Sequence, residues 1–552
     1  MNAVFNPKLF SLLKTGISKK QLTRDVLAGI VVGIVALPLA IAFAVASGVS
    51  PEKGLITAVV AGFLISSLGG SRVQIGGPTG AFIVIVYGVI DQYGLNGLMI
   101  STVMAGIILI IFGVLKLGTL LKYIPHPLIV GFTSGIALVI FSTQIRDALG
   151  LDIQKVPSAF IEKWIVYAKN FGGINYNSTV ITLVTILITA FSKKITTKIP
   201  GSFISILLIT FTVQLFKIPV STIETFFGNI PNHIAFIRPV IELGHLNKYL
   251  APALTIALLG GIESLLSAVV SDGMISGKHR SNTELIAQGI ANVITPFFGG
   301  IPATGAIART ATNVKNGGRT PISGISHAIT LLLIMLFLGK WARLIPMSCL
   351  AGILIVVAYN MSEWRSFVTI LRGSFFDIIV LLSTFFLTVL VDLTTAIEIG
   401  VVLSAVLFMK RMSDISEKRI NNIVDTDVID DYSDLPDGIS IYEISGPLFF
   451  ASAKRYSEVI EEIGIKSRIL IIRMRHVSFV DQTGLHNLKA TLKILSGKGI
   501  VVILSGVNKE VLLDFQKSRL TEIIDRQNIY DSFDKAFSRA KNVLLKKVTS
   551  AP

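Results

Sequence analysis

From residue 24 to about Lys410 the chain is a succession of apolar runs, each interrupted by glycine, proline or a short charged stretch. Such runs predict helices that reside in a bilayer, because a helix satisfies its own backbone there. Counting them predicts about fourteen spans, several too short to cross alone. After a polar linker (411–437) the pattern changes to short alternating runs. "ISIYEISGPLFF" (439–450), "RILIIRM" (468–474) and "GIVVILSGV" (499–507) predict strands. "AKRYSEVIEEI" (453–463) and "GLHNLKATLKIL" (484–495) predict helices, the second placed to be capped by Asp481 or Thr483. The expected organisation is an N-terminal segment over 1–23, an α-helical membrane domain over 24–410, the linker, and a small α/β domain over 438–545.

Composition agrees: of 552 residues 52% are hydrophobic and 15% charged, against about 25% charged in soluble domains. The net charge of +16 raises the question of nucleic acid, but the basic residues sit at the ends of apolar runs rather than on one interleaved face. Lys116/Lys122, Lys193/Lys194/Lys198, Lys278/Arg280, Lys315/Arg319 and Arg365/Arg372 fall in the loops on the N-terminal side. The two long loops, near 147–175 and 218–248, fall on the other. This is the positive-inside pattern, and it predicts an inner-membrane protein with both termini in the cytoplasm. The first run is not followed by a cleavage pattern and predicts a retained span. The single cysteine, Cys349, excludes an internal disulfide and a cysteine metal cage, and the seven histidines lack ligand spacing, so no cofactor is expected. No P-loop, GxSxG or HExxH pattern is present, so no enzyme chemistry is expected.

One short breaker occurs twice. "PTGA" (78–81) returns as "ATGA" (303–306), and at the same offset of 225 "AVASG" (44–48) falls on "VVSDG" (269–273). With about seven spans per half, an odd number, the second half enters the membrane inverted. Inverted repeats that each carry a Gly/Pro-interrupted segment mark transporters whose site lies between the repeats. Pro78 and Pro302 suit helix starts, the second near Thr304, and two such N-termini facing one point form an anion site. The alternative is a pair of surface loops.

Two charges lie inside apolar runs. Glu263 stands in "LTIALLGGIESLLSAVVSDG" with no other charge before Asp272. A carboxylate at mid-span is a functional candidate, and as a neutral acid it could carry a proton; a purely structural hydrogen bond is the alternative. Its counterpart at the repeat offset is Pro38, so the acid is on one side only. Arg309 offers a planar fork suited to oxyanions, unless it snorkels to the membrane edge. Glu263 and Arg309 could also pair. Thr395-x-x-Glu398 and Asp392 suggest a helix start, and Gln144, Arg146 and Asp147 a helix end.

The order of parts resembles the SulP family of anion transporters. "ALPLAIAFAVASGVSPEKGL" (36–55) is similar to the family's first-helix signature, "GGIESLLSAVVSDG" (260–273) to its eighth helix, and "GGIPATGAIARTATNVKNGGRTPISG" (299–324) to its tenth. The tail resembles a STAS domain, with "DQTGL" (481–485) in place of the D-S/T-S/T-G motif. The resemblance implies two inverted seven-segment repeats, a core moving against a gate, a cytoplasmic STAS domain and a homodimer. It places the anion between Thr79-Gly80-Ala81 and Ile307-Ala308-Arg309-Thr310 and links Glu263 to ion coupling; which anion fits depends on the packing of Phe82, Val86 and Ala308. Sodium-coupled bicarbonate members tend to carry aspartate there and to lack the arginine, which favours a proton here; Ser267, one turn on, keeps sodium open. In switch proteins the position of Thr483 is phosphorylated, but Gln482 leaves the motif incomplete. The expectation is a proton-coupled transporter of a small oxyanion, sulfate first and a C4-dicarboxylate next. A sodium-coupled bicarbonate transporter, an uncoupled anion channel and a receptor signalling through the STAS domain are the alternatives.

Overall fold

Proline and glycine punctuate the apolar runs, and the computed structural model breaks its helices at some of them, while others, Pro38 and Pro252 included, lie inside helices. It describes residues 5–119, 125–153, 156–195, 201–228, 236–238, 246–391, 393–421, 436–444, 446–450 and 452–549. Lys122, Lys198, Asp392, much of the 218–248 loop and most of the linker lie outside them. Two compact units result, Met1–Val402 and Leu403–Pro552.

In the first unit, α1 (Lys8–Thr15) precedes α2 (Lys19–Ala46) and α3 (Pro51–Leu68). Strand β1 (Gly76–Gly77) and a 3-10 turn (Gly80–Phe82) lead into α4 (Ile83–Val114), which is kinked at Gly94. Then come α5 (His126–Leu149), α6 (Phe160–Lys169), α7 (Tyr176–Ile195), α8 (Gly201–Leu215) and α9 (Ile223–Phe227). The second half holds α10 (Asn247–Ile275), α11 (Ser281–Ile294), β2 (Thr304–Gly305), α12 (Ile307–Lys315) and α13 (Ile322–Ala342). It continues through α14 (Met347–Met361), α15 (Trp364–Leu371), α16 (Phe375–Leu390) and α17 (Leu393–Asn421), which extends into the stretch expected as linker. Among the described residues six helices are long and apolar enough to cross a membrane, and shorter apolar helices accompany them.

The repeat is visible in this order. Shifted by 225, α2 falls on 244–271 and α3 on 276–293, close to α10 and α11. The part of α4 before Gly94 falls on α12, and the part after it on α13. Packing follows the same rule. α4 packs on α11 and α10, while α13 packs on α3 and α2, their counterparts. Helices can approach this closely where side chains are small. At the α4–α11 crossing a Cβ on Gly106 would stand 2.6 Å from the Gly289 carbonyl oxygen, and one on Gly289 2.5 Å from that of Gly106. A second group forms around α5, which packs on α14 and α16, with α7 against α14 and α8.

In the second unit, β3 (Ile439–Glu443), β4 (Ile469–Arg473) and β5 (Val501–Ser505) form a parallel sheet in that order. α18 (Ala453–Ile465), α19 (Gln482–Gly497), α20 (Lys509–Lys517) and α21 (Phe533–Thr549) complete the unit. The first strand is shorter than 439–450: its pairing ends at Glu443, and Leu448 makes an isolated parallel bridge to Val480, outside the sheet strands.

Several local expectations are corrected. Asp481, not Thr483, caps α19, its carboxylate accepting from Gly484 N at 2.7 Å; Thr483 lies exposed in the first turn. Thr395 lies inside α17 rather than at its cap, because the helix already begins at Leu393. Pro302 does not open a helix, because Thr304 and Gly305 are held extended by strand pairing. Helix α12 starts only at Ile307, which puts Arg309 in its first turn, not one turn beyond. The helix end at Gln144–Asp147 stands as read: α5 stops at Leu149 with Gly150 left-handed, and Arg146 Nε meets Asp147 Oδ1 at 2.8 Å.

Candidate functional site

A helix that begins inside a bilayer leaves its first N–H groups without helical partners. Two such starts meet here. Strands β1 and β2 pair antiparallel, Gly76 against Gly305 and Gly77 against Thr304. One further step in this register sets Pro78 against Ala303, its own counterpart at the repeat offset, so the local two-fold passes between them. From this crossing the chain enters helix at Gly80 on one side and at Ile307 on the other. Ala306 N donates to the Ile75 carbonyl at 2.9 Å, and Ile75 N donates to Thr310 Oγ1 at 3.0 Å, which tightens the pair.

Helix α10 runs beside both breakers and offers one face to them, with Gly260, Glu263, Ser264 and Ser267 at helical spacing. Thr304 Oγ1 donates to the Gly260 carbonyl (2.7 Å) and Thr79 Oγ1 to Glu263 Oε2 (3.0 Å). Gln74 Nε2 donates to Ser264 Oγ (2.8 Å), and Ser267 Oγ to Thr310 Oγ1 (3.3 Å). Glu263 is only half-buried, and its Oε1 has no hydrogen-bond partner among the described residues.

Arg309 reaches across the two-fold. It is 2% exposed, and its Nη2 donates to the carbonyl of Pro78 in the other repeat. Its Nη1 is buried without a partner among the described residues and lies against Gly77, where a Cβ would stand only 2.4 Å away. The sequence left open a Glu263–Arg309 ion pair. The structure holds them apart, the acid on Thr79 and the guanidinium on backbone. A full positive charge therefore adds to the partial charges of two helix starts, with no carboxylate among the described residues at ion-pair distance.

The structure brings most of the expected residues to this point. Thr79, Ala81 and Phe82 are buried at 6%, 5% and 1%, with Gly80 between them. The Ile307–Thr310 set divides: Ile307 and Ala308 are exposed, Arg309 and Thr310 buried. Thr483 belongs to the other unit. Gln74, Ser264 and Thr304 were missed. Gln74 is a lone amide close to the first breaker, and that isolation was the available signal. Its contact is close: a Cβ on Gly305 would stand 1.6 Å from Gln74 Nε2. His327 of α13 is also buried, with no partner on either ring nitrogen among the described residues. Among those residues no cluster of His, Cys, Asp or Glu could hold a metal. The arrangement can bind an anion and hold a proton.

Comparison with known proteins fits this geometry. The model described as "Sulfate permease family" matches residues 22–384, and "STAS domain" matches residues 434–536. The protein named "Putative sulfate transporter YvdB" of Bacillus subtilis (strain 168) is 42% identical over 525 residues, covering 94% of this chain and 98% of its own. The transmembrane domain of the cyanobacterium bicarbonate transporter BicA superposes with a TM-score of 0.63 at 32% identity, covering 69% of this chain and 98% of that one. The murine solute carrier 26 family member A9 anion transporter, in its inward-facing state, gives 0.86 at 19% identity, covering 97% and 94%, and shares the fold. The chain belongs to the sulfate permease family, as an α-helical membrane protein with a C-terminal STAS domain.

Proposed function

We propose that the protein is a secondary active transporter that moves a small oxyanion, sulfate foremost and a C4-dicarboxylate next, together with protons. The antiparallel meeting of β1 and β2 carries this reading, because it sets two half-helix starts on either side of one point with Glu263 beside it. Thr79, Gly80, Ala81 and Phe82 on one side, and Ile307, Ala308, Arg309 and Thr310 on the other, hold the anion. The helix starts and the Arg309 charge attract it. Glu263 takes the proton on the oxygen that Thr79 leaves open, and Ser267 supports the coupling site. Neutralising both charges lets the α2–α4 and α10–α13 group move against the group around α5. The working assembly is a homodimer in the inner membrane, with both termini and the STAS domain cytoplasmic.

Purified protein in liposomes, given labelled sulfate and an inward proton gradient, is expected to accumulate sulfate, and a protonophore is expected to abolish the accumulation. Unlabelled fumarate and bicarbonate as competitors rank the anions. Sodium-coupled bicarbonate transport is the second reading, favoured by the likeness to the BicA transmembrane domain. Bicarbonate uptake that starts only when sodium is added would replace the first reading with the second. A current reversing at the anion's Nernst potential would mark a channel.

A further inference from the structure

The N-terminal helix is fixed to the bundle at the level where spans begin and end. Lys8 N donates to the carbonyl of Gly69, just past the end of α3, at 2.9 Å. Asn6 N donates to Thr283 Oγ1 at the start of α11 (3.2 Å). Arg280 Nη1 donates to the Asn6 carbonyl (2.7 Å) and to Ser11 Oγ (2.9 Å). The start of α1 is therefore held against the end of the bundle, with Ser11 inward. Its other side is apolar and open: Phe10 is 52% and Leu13 56% exposed, and Phe5 adds to them. Three residues separate α1 from α2, the first span, which carries Leu22, Val26 and Leu27 exposed near its start.

The charge around this surface has one sign. No acidic residue precedes Asp25, while Lys8, Lys14, Lys19, Lys20 and Arg24 do. Lys14, Lys19, Lys20 and Arg24 are exposed. Burial, then Arg280 and Arg72, hold Lys8 below the ordinary lysine range against the weaker opposing pull of Asp272. The nearby acids are engaged elsewhere. Asp25 accepts from Arg319 N, Thr320 N and Thr320 Oγ1. Glu284 accepts from Gly70 N, Ser71 N and Gln288 Nε2. Asp272 meets His279 Nδ1 at 2.7 Å.

We infer that α1 is an interfacial helix that seats on an anionic lipid leaflet, with Phe10 and Leu13 at the acyl boundary and Lys14, Lys19 and Lys20 on lipid phosphates. An amphipathic helix with basic flanks binds such a surface through both terms. Because α1 is bonded to the end of α3 in one repeat and the start of α11 in the other, the seating ties the α3–α11 end of the bundle to the leaflet.

The test uses the full-length chain with Leu13→Cys carrying an environment-sensitive fluorophore; the native thiol, Cys349, is buried. In phosphatidylcholine vesicles containing phosphatidylglycerol, the label is expected to emit at shorter wavelength, resist aqueous iodide and be quenched by spin-labelled lipid. Lys14→Gln, Lys19→Gln and Lys20→Gln together, or removal of phosphatidylglycerol, should lower the ratio of seated to released label, by about fivefold per lysine removed. Free iodide access in the anionic vesicles overturns the proposal. Equal shielding in detergent and in anionic vesicles also overturns it, because another part of the protein would then cover the helix.

Discussion

The two half-helices that leave the β1–β2 crossing share a backbone plan and differ in chemistry. The first, from Gly80 into α4, carries no charge before Asp91, and Ala81, Phe82 and Ile83 are buried. The second, α12, is nine residues long and includes Arg309, Thr310, Thr312, Asn313 and Lys315. Repetition supplied the shape twice and the charge once. The position of Arg309 explains why. Its guanidinium crosses the two-fold to bond Pro78, so a second arginine at its counterpart, Val84, would cross back beside it. Two like charges that close in a low-dielectric interior repel strongly. A site on a two-fold has room for one such group, and the symmetric scaffold is finished by an asymmetric side chain.

The sharpest way to break this comparison is to exchange the charge. Arg309→Met is expected to reduce sulfate uptake in liposomes to background, a loss of about a hundredfold or more, whereas Val84→Met retains most of it. Removing Arg309 loses its bond to the Pro78 carbonyl but also relieves a buried charge that has no carboxylate at ion-pair distance among the described residues, so the thermal midpoint should change little, which separates lost function from lost folding. Equal uptake by the two variants would show that the asymmetry is incidental.

Glu263→Gln comes next. It is expected to abolish accumulation driven by a proton gradient and to preserve sulfate counterflow between equally buffered compartments. Wild-type coupling in this variant would remove Glu263 from the mechanism.

A smaller effect separates the repeat-related glycines. At Gly305 an added Cβ meets buried Gln74, which must then give up its bond to Ser264; at Gly80 it meets the Met361 sulfur at 2.9 Å, the end of a flexible chain. Gly305→Ala should destabilise by about 1–3 kcal/mol, and Gly80→Ala by much less, as read by thermal unfolding in detergent.

The smallest expected effect on transport comes from Lys163 in α6, a buried cation outside the site. Burial pushes its pKa down from 10.5 to about 8. The charged form is thus disfavoured by folding at neutral pH, and that penalty fades as pH rises from about 8 to 10.5. Lys163→Met should stabilise the protein by roughly 3 kcal/mol at most at pH 7 and flatten the pH dependence over that window, with uptake unchanged.

Much of the site was legible because it is written in local chemistry. Glycine and proline in an apolar run mark a backbone interruption wherever they occur, and an unaccompanied Glu263 or Arg309 stands out against hydrocarbon. The start of α12 was misplaced for a different reason. Thr304 and Gly305 carry no strand signal of their own, and they are extended because Gly76 and Gly77 pair with them from more than two hundred residues away. Ser267 stands out in the sequence by its spacing from Glu263 and Ser264 does not, yet only packing assigns Ser264 to Gln74 and Ser267 to Thr310. In the second unit Asp481 and Thr483 were equal candidates for a cap until the extended conformation of Asp481 chose between them.

By itself the sequence determined that this chain is a helical membrane protein with a small α/β domain, built twice over at a spacing of 225, with one acid and one base set inside it. Those properties follow from side-chain solubility and backbone propensity, which act over a few residues. The tertiary structure decided which groups meet: that the breakers cross antiparallel, that Glu263 rests on Thr79 rather than on Arg309, and that Arg309 spans the two-fold. These depend on the packing of distant helices around small residues, where tenths of an ångström decide which hydrogen bond forms and how far apart two charges are held.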